Sequence, residues 1–467
     1  MSILGGVFYF YKVVTIASGE PKAEPGAFCI WPELMFKEEK IMKLRKLVCL
    51  ALASLMALSL SACGNSAAPS TAAGEKTEAQ ATETEKEADT GAETKEAVST
   101  GGIAKEDIKV GFIYIGDENE GYTAAHYKGA MEMKEALGLS DDQIIVKWNV
   151  PEDETCKDAA MDLADQGCSI IFANSFGHES YMLEAAKEYP DVQFCHATGY
   201  QAALSGLSNM HNYFTNVYES RYVSGVVAGL KINQMIEEGK VNKDAVKIGY
   251  VGAYPYAEVI SGYTSFFLGV RSICPEATME VKYTNSWASF DLEKEAADAL
   301  ISDGCVLISQ HADTTGAPTA CEAAGVPCVG YNISMIATAP KTALTSASID
   351  WGPYVTYAVQ SVIDGKSFDT DWCQGYKEGA NSITELNKDA IAPGTEEKVK
   401  EVEDALKAGT LHVFDTSAFT VGGETLETYK KDGSDVEYIE DGYFHESEHG
   451  SAPAFDVLID GITTIEN

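Results

Sequence analysis

Residues Ile108 to Met133 read IKVGFIYIGDENEGYTAAHYKGAMEM. Ile108 to Ile115 is an apolar, β-branched and aromatic run of strand length, broken only by Lys109 and Gly111. Gly116 to Gly121 is polar and turn-forming, after which Ala124, Ala125, Tyr127, Ala130 and Met131 return at helical spacing. A continuously apolar strand that feeds a helix through a polar loop is the opening unit of a parallel sheet covered by helices on both faces. In such sheets ligands bind at the carboxyl ends of the strands, and Tyr122 at the helix entry offers a flat face there.

The unit is repeated. Val246 to Gly252 is again a strand followed by a helix, and Gly262-Tyr263-Thr264 echoes Gly121-Tyr122-Thr123. Downstream, Leu163, Gly167 and Cys168 recur at one constant offset as Leu300, Gly304 and Cys305. Two similar α/β lobes in one chain imply a cleft between them, and a cleft is where ligands are taken up. From Asp107 onward, strands are expected near 108–115, 144–149, 169–174, 192–198, 247–252, 280–284, 305–309, 327–330 and 344–348. Helices are expected near 123–137, 155–166, 178–189, 219–238, 257–272, 291–302, 317–324, 353–364 and 396–408. This alternation predicts an α/β fold, each lobe a Rossmann-like parallel sheet flanked by helices.

The flanking segments read differently. Residues 1–41 show no coherent pattern, and the functional chain is expected to start at Met42. Met42 to Lys46 is a basic n-region and Leu47 to Leu60 a short apolar core, a pattern that makes 42–62 a signal peptide. Leu60-Ser61-Ala62-Cys63 resembles a bacterial lipobox, which implies lipidation at Cys63 and a membrane anchor. Residues 63–106, rich in Ala, Thr, Glu and Lys and without aromatics, read as a disordered acidic tether. The remainder is expected to divide into lobe 1 over 107–240, lobe 2 over 241–345, and a segment over 346–467 that returns to lobe 1 and wraps the outside.

Composition excludes some functions. A net charge of −37 leaves too little basic surface for the phosphate contacts on which nucleic-acid binding rests. Cys156, Cys168, Cys195, Cys274, Cys305, Cys321, Cys328 and Cys373 follow no disulfide spacing and read mostly as free, buried thiols. His445-Glu446-Ser447-Glu448-His449 matches the H-E-x-x-H of zinc hydrolases, which need it on a helix. Here it lies between Gly442 and Gly450, with no apolar stripe to dock one, and reads as a loop. G-x-S-x-G, P-loop and G-x-G-x-x-G patterns are missing where catalysis or a dinucleotide would need them, so neither an enzyme nor a cofactor is expected.

Aromatic, amide, hydroxyl and carboxylate residues instead gather after the apolar runs: Asn174-Ser175-Phe176, His196-Ala197-Thr198-Gly199-Tyr200, Asn285-Ser286-Trp287, Gln310 to Thr314, Tyr331-Asn332 and Asp350-Trp351. Singly, each has a plainer reading as a helix cap or as packing. Together they suit a planar heteroaromatic ligand, which needs faces to stack on and a rim of donors and acceptors.

These residues resemble the basic membrane protein family of substrate-binding lipoproteins of ABC importers, whose characterised members bind purine nucleosides or bases. The marks are Gly121 to Gly129, Ser175-Phe176-Gly177, His196 to Tyr200, Thr345-Ser346, Asp350-Trp351-Gly352-Pro353 and Ile459 to Ile462. The resemblance implies a two-lobed type I periplasmic-binding-protein fold and a monomeric receptor anchored by its lipid. It also implies delivery to ABC permease and ATPase subunits, with Tyr122 and Trp287 as the base-stacking aromatics. Ser175, Phe176, Thr198, Asp313, Asn332 and Trp351 complete the expected site. Nucleoside-binding relatives grip ribose with an Asp and a Lys. The corresponding positions here are Asn332 and Ile349, so a free base, adenine first, is expected over a nucleoside. A purine nucleoside receptor and a ligand sensor not coupled to transport are the alternatives.

Overall fold

The computed structural model describes residues 101–431 and 433–465. The first lobe is built on a six-stranded parallel sheet, ordered β11-β5-β4-β3-β1-β2. Its strands are β1 (Val110–Ile113), β2 (Ile144–Lys147), β3 (Ile170–Ala173), β4 (Gln193–Ala197), β5 (Met210–Thr215) and β11 (Asp371–Gln374). Helices α1 (Gly121–Leu137) and α9 (Gly352–Asp364) pack together over one face. Helices α2 (Glu154–Asp165) and α3 (Glu179–Glu188) cover the other. A short α4 (Ala202–Ser205) precedes β5.

The second lobe carries β6 (Lys247–Gly252), β7 (Thr278–Tyr283), β8 (Ile308–Gln310), β9 (Cys328–Tyr331), β10 (Ala343–Ile349), β12 (Asn381–Ile383) and β15 (Ile462–Ile465). Their order is β12-β10-β9-β8-β6-β7-β15, with only β12 antiparallel. Helices α5 (Val217–Glu237), α6 (Ala257–Ile273) and α10 (Thr395–Lys407) bury one face of this sheet; α7 (Phe290–Ser302) and α8 (Gly316–Ala324) bury the other. A small ribbon, β13 (Ile439–Glu440) with β14 (Tyr443–Phe444), lies in the C-terminal segment.

The sequence repeat is structural. Gly167 and Gly304 follow α2 and α7 with φ of 87° and 91°, a left-handed conformation that costs glycine no Cβ clash. In both, the next cysteine closes the helix end: Cys168 N donates to Leu163 O and Cys305 N to Leu300 O, each at 3.0 Å. The Gly-Tyr-Thr echo differs in position. Gly121 opens α1, whereas Gly262 lies within α6, which starts earlier at Ala257, and Tyr263 is buried in the core.

The lobe boundaries depart from the expected ones. Helix α5 belongs to lobe 2, because it packs against α6 and β10, so lobe 1 first ends near residue 216 and not 240. After β10 the chain returns to lobe 1 through α9 and β11, then crosses once more to lobe 2 at β12. The tail does more than wrap: β15 extends the sheet of lobe 2 beside β7. Strand β5 escaped the sequence reading because His211, Asn212 and Thr215 break its apolar run, although all are buried. Their polar atoms are largely satisfied inside: His211 bonds Asp369 O and Gln193 Oε1, and Asn212 bonds Glu179 and Ala202 N.

The three crossings run side by side and are hydrogen-bonded to one another. Asn216 N donates to Gln374 O (2.9 Å), Asn381 Nδ2 to Asn216 O (2.5 Å) and Asp350 N to Ala380 O (2.9 Å). The eight described cysteines are free, and all but Cys373 are buried. Burial pushes the thiols of Cys156, Cys195 and Cys305 up to about 12. Position 63 and the expected signal peptide lie outside the described residues, among which no helix is long and apolar enough to cross a membrane.

Helices α5 and α6 meet at glycine: a Cβ on Gly225 would lie 2.1 Å from Phe266 O, and one on Gly269 2.1 Å from Tyr222 O. In an exposed helix Gly→Ala is stabilising. Gly225→Ala should here lower the unfolding free energy by about 1–3 kcal/mol, the usual cost of overpacking, as read by urea denaturation.

Candidate functional site

The strands of each lobe end, at their carboxyl termini, on one shared cleft of about 1180 Å³. Lobe 1 contributes Glu120 and Tyr122 at the start of α1, Ser175 and Phe176 after β3, and Thr198 and Tyr200 after β4. Lobe 2 contributes residues 254–258 where the loop after β6 enters α6, Trp287 after β7, His311 and Asp313 after β8, and Tyr331 at the end of β9. The lobes touch where Gly121 N faces Asp313 O at 3.4 Å.

Local bonding fixes the orientation of these groups. Glu120 caps α1, its carboxylate accepting from the N–H groups of Tyr122 (2.6 Å) and Thr123 (2.8 Å). Tyr122 donates its hydroxyl to Asn174 O at 2.6 Å and meets His126 edge-on, with 4.5 Å between ring centroids. Ser175 donates to Glu152 Oε1, and Thr198 to its neighbour Ala197 O, so both offer a ligand acceptor lone pairs, their protons being engaged. Thr198 holds φ at 68°, a region that costs a β-branched residue about 1–3 kcal/mol. Trp287 is held by Asp313 N, which donates to its carbonyl at 2.9 Å, and by Tyr254 edge-on at 5.1 Å. Phe176 of lobe 1 reaches Tyr256 of lobe 2, with ring centroids 5.6 Å apart, so the aromatic wall spans both lobes.

Behind the wall lies a buried relay. Arg221 of α5 donates through Nη1 to Gln310 O (2.7 Å) and through Nη2 to His311 Nδ1 (3.2 Å), and its guanidinium sits 3.5 Å from the centroid of the Tyr331 ring. A guanidinium only donates, so Nδ1 accepts and Nε2 carries the imidazole proton. That proton is donated to Glu258 Oε1 at 2.7 Å, and burial keeps His311 neutral. Asp313 accepts from Asn332 Nδ2 at 2.7 Å; its other oxygen has no hydrogen-bond partner among the described residues. Burial, aided by Glu120, Glu293 and Glu258, raises the Asp313 pKa well above the usual carboxylate range and so favours the protonated form, which can donate as well as accept.

Of the sequence-derived candidates, Tyr122, Ser175, Phe176, Thr198, Trp287 and Asp313 line the cleft together. Asn332 does not reach it: the residue is buried behind Asp313 and orients it. Trp351 also departs from expectation. It is 1% exposed in the core of lobe 1, stacked on His126 at 3.8 Å, because it sits where α9 meets α1. Glu258, Tyr254 and Tyr256 were missed; their signal was the position of the Tyr254-Pro255-Tyr256 turn after β6, equivalent to the loop after β1. The His445–His449 match follows β14 as bends and not a helix, with His445 Nδ1 paired to Glu448 Oε2 at 2.6 Å and Glu446 bound by Ser261 Oγ at 2.6 Å. The two imidazoles therefore share no helix face for a metal, and no group of metal ligands occurs among the described residues.

Residues 108–410 match the family model Bmp, described as ABC transporter substrate-binding protein PnrA-like. A purine-binding protein of Brucella abortus is 36% identical over 306 residues, covering 65% of this chain and 82% of that one. A putative ABC transporter glucose-binding protein, TsgA13, of Haloferax volcanii is 33% identical over 273 residues, 58% of this chain and 65% of that one. Among solved structures, a solute-binding protein of an ABC transporter system from Conexibacter woesei superposes with a TM-score of 0.54 at 22% identity, covering 65% of this chain and 98% of that one. Another from Aeropyrum pernix gives 0.55 at 16%, covering 66% and 93%. These two establish the fold, that of two-lobed solute receptors.

Glu293 steadies the Asp313 loop by accepting from the N–H groups of Thr314 (3.0 Å) and Ser289 (3.1 Å), and burial pushes it from 4.5 to about 7. A carboxyl whose pKa is raised on folding binds its proton more tightly when folded, so its stabilising effect fades as pH rises. Relative to Glu293→Gln, the wild-type protein should lose stability between pH 4.5 and about 7 and change little above. Urea unfolding of both proteins across that range measures it.

Proposed function

The chain belongs to the Bmp family of PnrA-like ABC transporter substrate-binding proteins, which bind solutes and do not transform them, and on that premise we propose that its ligand is a purine. The observation that carries this reading is one cleft lined by two aromatic side chains, Tyr122 and Trp287, from opposite lobes, and by the Asp313 carboxyl. Stacking on such faces contributes about 1–3 kcal/mol per base in nucleic-acid binders. The purine-binding relative from Brucella abortus supports the same class.

Within that class the base is favoured, adenine first. A buried carboxyl that both donates and accepts complements the paired ring nitrogen and exocyclic amine on an adenine edge. Ile349, where nucleoside-binding relatives are expected to hold a Lys, is 4% exposed in the core and offers no polar group. A ribose there would leave hydroxyls unpaired, at about 1–3 kcal/mol for each buried group. Phosphorylated ligands fit poorly: besides Asp313, the acidic side chains of Glu120, Glu258, Asp371, Glu446 and Asp456 line the cleft against Lys431, the one Lys or Arg among the described lining residues. The full receptor would be held on the outer face of a bacterial cell membrane by lipid at Cys63 and would pass its ligand to an ABC permease.

A second reading has its own support. Aromatic faces and carboxylates also suit a pyranose, and the relative from Haloferax volcanii is named as a putative glucose-binding protein. Titration calorimetry of the purified protein with adenine, adenosine, inosine and glucose separates the readings. Adenine should bind and displace the others; tighter binding of adenosine or inosine would overturn the base preference, and heat with glucose alone would overturn the purine.

Trp287→Ala should weaken purine binding about tenfold or more, the scale of one lost stacking partner, while unfolding stays cooperative. Tyr122→Ala should weaken binding as much and also lower stability, because this side chain packs on His126 and bonds Asn174. Calorimetry and urea unfolding of the pair check both statements.

A further inference from the structure

The match to the family model stops at residue 410, yet the chain beyond it returns to the cleft. Tyr438, Glu446, His449 and Asp456 line the same cavity as Tyr122 and Trp287. This segment is fastened to both lobes. On lobe 2, Phe444 and Phe455 are buried in the core with ring centroids 4.9 Å apart, and Phe455 stacks on Phe414 at 4.3 Å. Ser261 Oγ of α6 donates to Glu446 Oε1 at 2.6 Å. On lobe 1, Asp371 of β11 accepts from Ser451 N at 2.9 Å.

The side chains that face the cleft are themselves braced. Tyr438 stacks on Phe444, with centroids 5.3 Å and planes 22° apart, and meets the His449 imidazole edge-on at 5.2 Å. A hydroxyl-bearing ring and an imidazole, held by packing and both on the cavity wall, are pre-organised contacts whose ordering cost is met in folding.

We propose that residues 438–456 form a strap that completes the ligand site: anchored on each lobe, it supplies Tyr438 and His449 as ligand contacts and limits the separation of the lobes. The proposal rests on the cleft being the ligand site and adds the wall that the family-matched part of the chain does not provide. It makes recognition depend on whatever part of the ligand projects beyond the stacked ring, because that part meets the strap.

Two measurements on the full chain test it. Small-angle X-ray scattering of ligand-free protein reads the tie: Asp371→Ala should enlarge the radius of gyration, whereas Asp371→Asn, which keeps an acceptor oxygen, should match wild type. Identical profiles for all three would overturn the tie. Calorimetry with adenine reads the contacts: Tyr438→Ala and His449→Ala should each weaken binding about fivefold to tenfold, the scale of one lost aromatic or hydrogen-bonding partner. Wild-type affinity in both would overturn that role. Should either alanine variant fail to fold, Tyr438→Phe and His449→Gln take its place. If wild-type protein binds adenine not at all, the adenine reading fails while the scattering result still decides the strap.

Discussion

Everything in this molecule hangs on three short pieces of backbone that pass between the lobes side by side. Outside regular secondary structure, each peptide group still needs a hydrogen-bond partner. Here the crossings provide them for one another. Asn216 is the centre: its N–H goes to Gln374, its carbonyl accepts from Asn381, and its side-chain oxygen accepts from the Cys373 thiol at 3.2 Å. Because the crossings satisfy each other, the lobes can be separate domains in packing and still share one cleft. Parallel sheets supply the rest, since their carboxyl ends must point the same way and helices must occupy both faces.

The cleft so made is polar in an uneven way. Burial disfavours ionisation of four of its carboxyl groups, Glu120, Asp313, Asp371 and Glu446, and the buried cation Arg221 lies behind the wall. Hydrogen bonds through His311 link that guanidinium to Glu258 without placing it in the ligand space. An uncharged, hydrogen-bonding, flat ligand is the natural occupant of such a field. This is the property that the purine and sugar readings share, and the reason a phosphate is disfavoured under either.

Much of this was legible in the sequence, and the failures have physical causes. The long apolar strands and the Leu-x-x-x-Gly-Cys repeat gave away the two sheets, because a parallel strand must be apolar on both faces and a helix end needs its glycine. Strand β5 was hidden by buried polar side chains whose partners lie on other elements of the fold. The lobe boundary was misplaced at α5 because helical periodicity shows that a face is buried but not against which sheet. Trp351 resembled a site residue by standing just after a strand, yet the glycine at position 129 lets α9 approach so closely that the indole is sealed inside; a Cβ there would lie 2.7 Å from the Trp351 Cβ. Asn332, with φ of 64°, turns back toward Asp313, a direction that no sequence pattern specifies.

The buried cysteines carry a consequence for survival outside a cell. Nucleophilic attack on an oxidant requires thiolate, and burial suppresses it in Cys156, Cys195 and Cys305. Among the described residues the native fold thus keeps these thiols chemically quiet and has no disulfide to lose under reducing conditions. An unfolded molecule exposes all of these thiols at their ordinary reactivity. Oxidation then works as a one-way valve on the unfolded fraction, converting a brief opening into permanent loss. In an oxidising medium the working lifetime of the receptor is therefore governed by how often it opens, and not by the depth of its equilibrium stability alone.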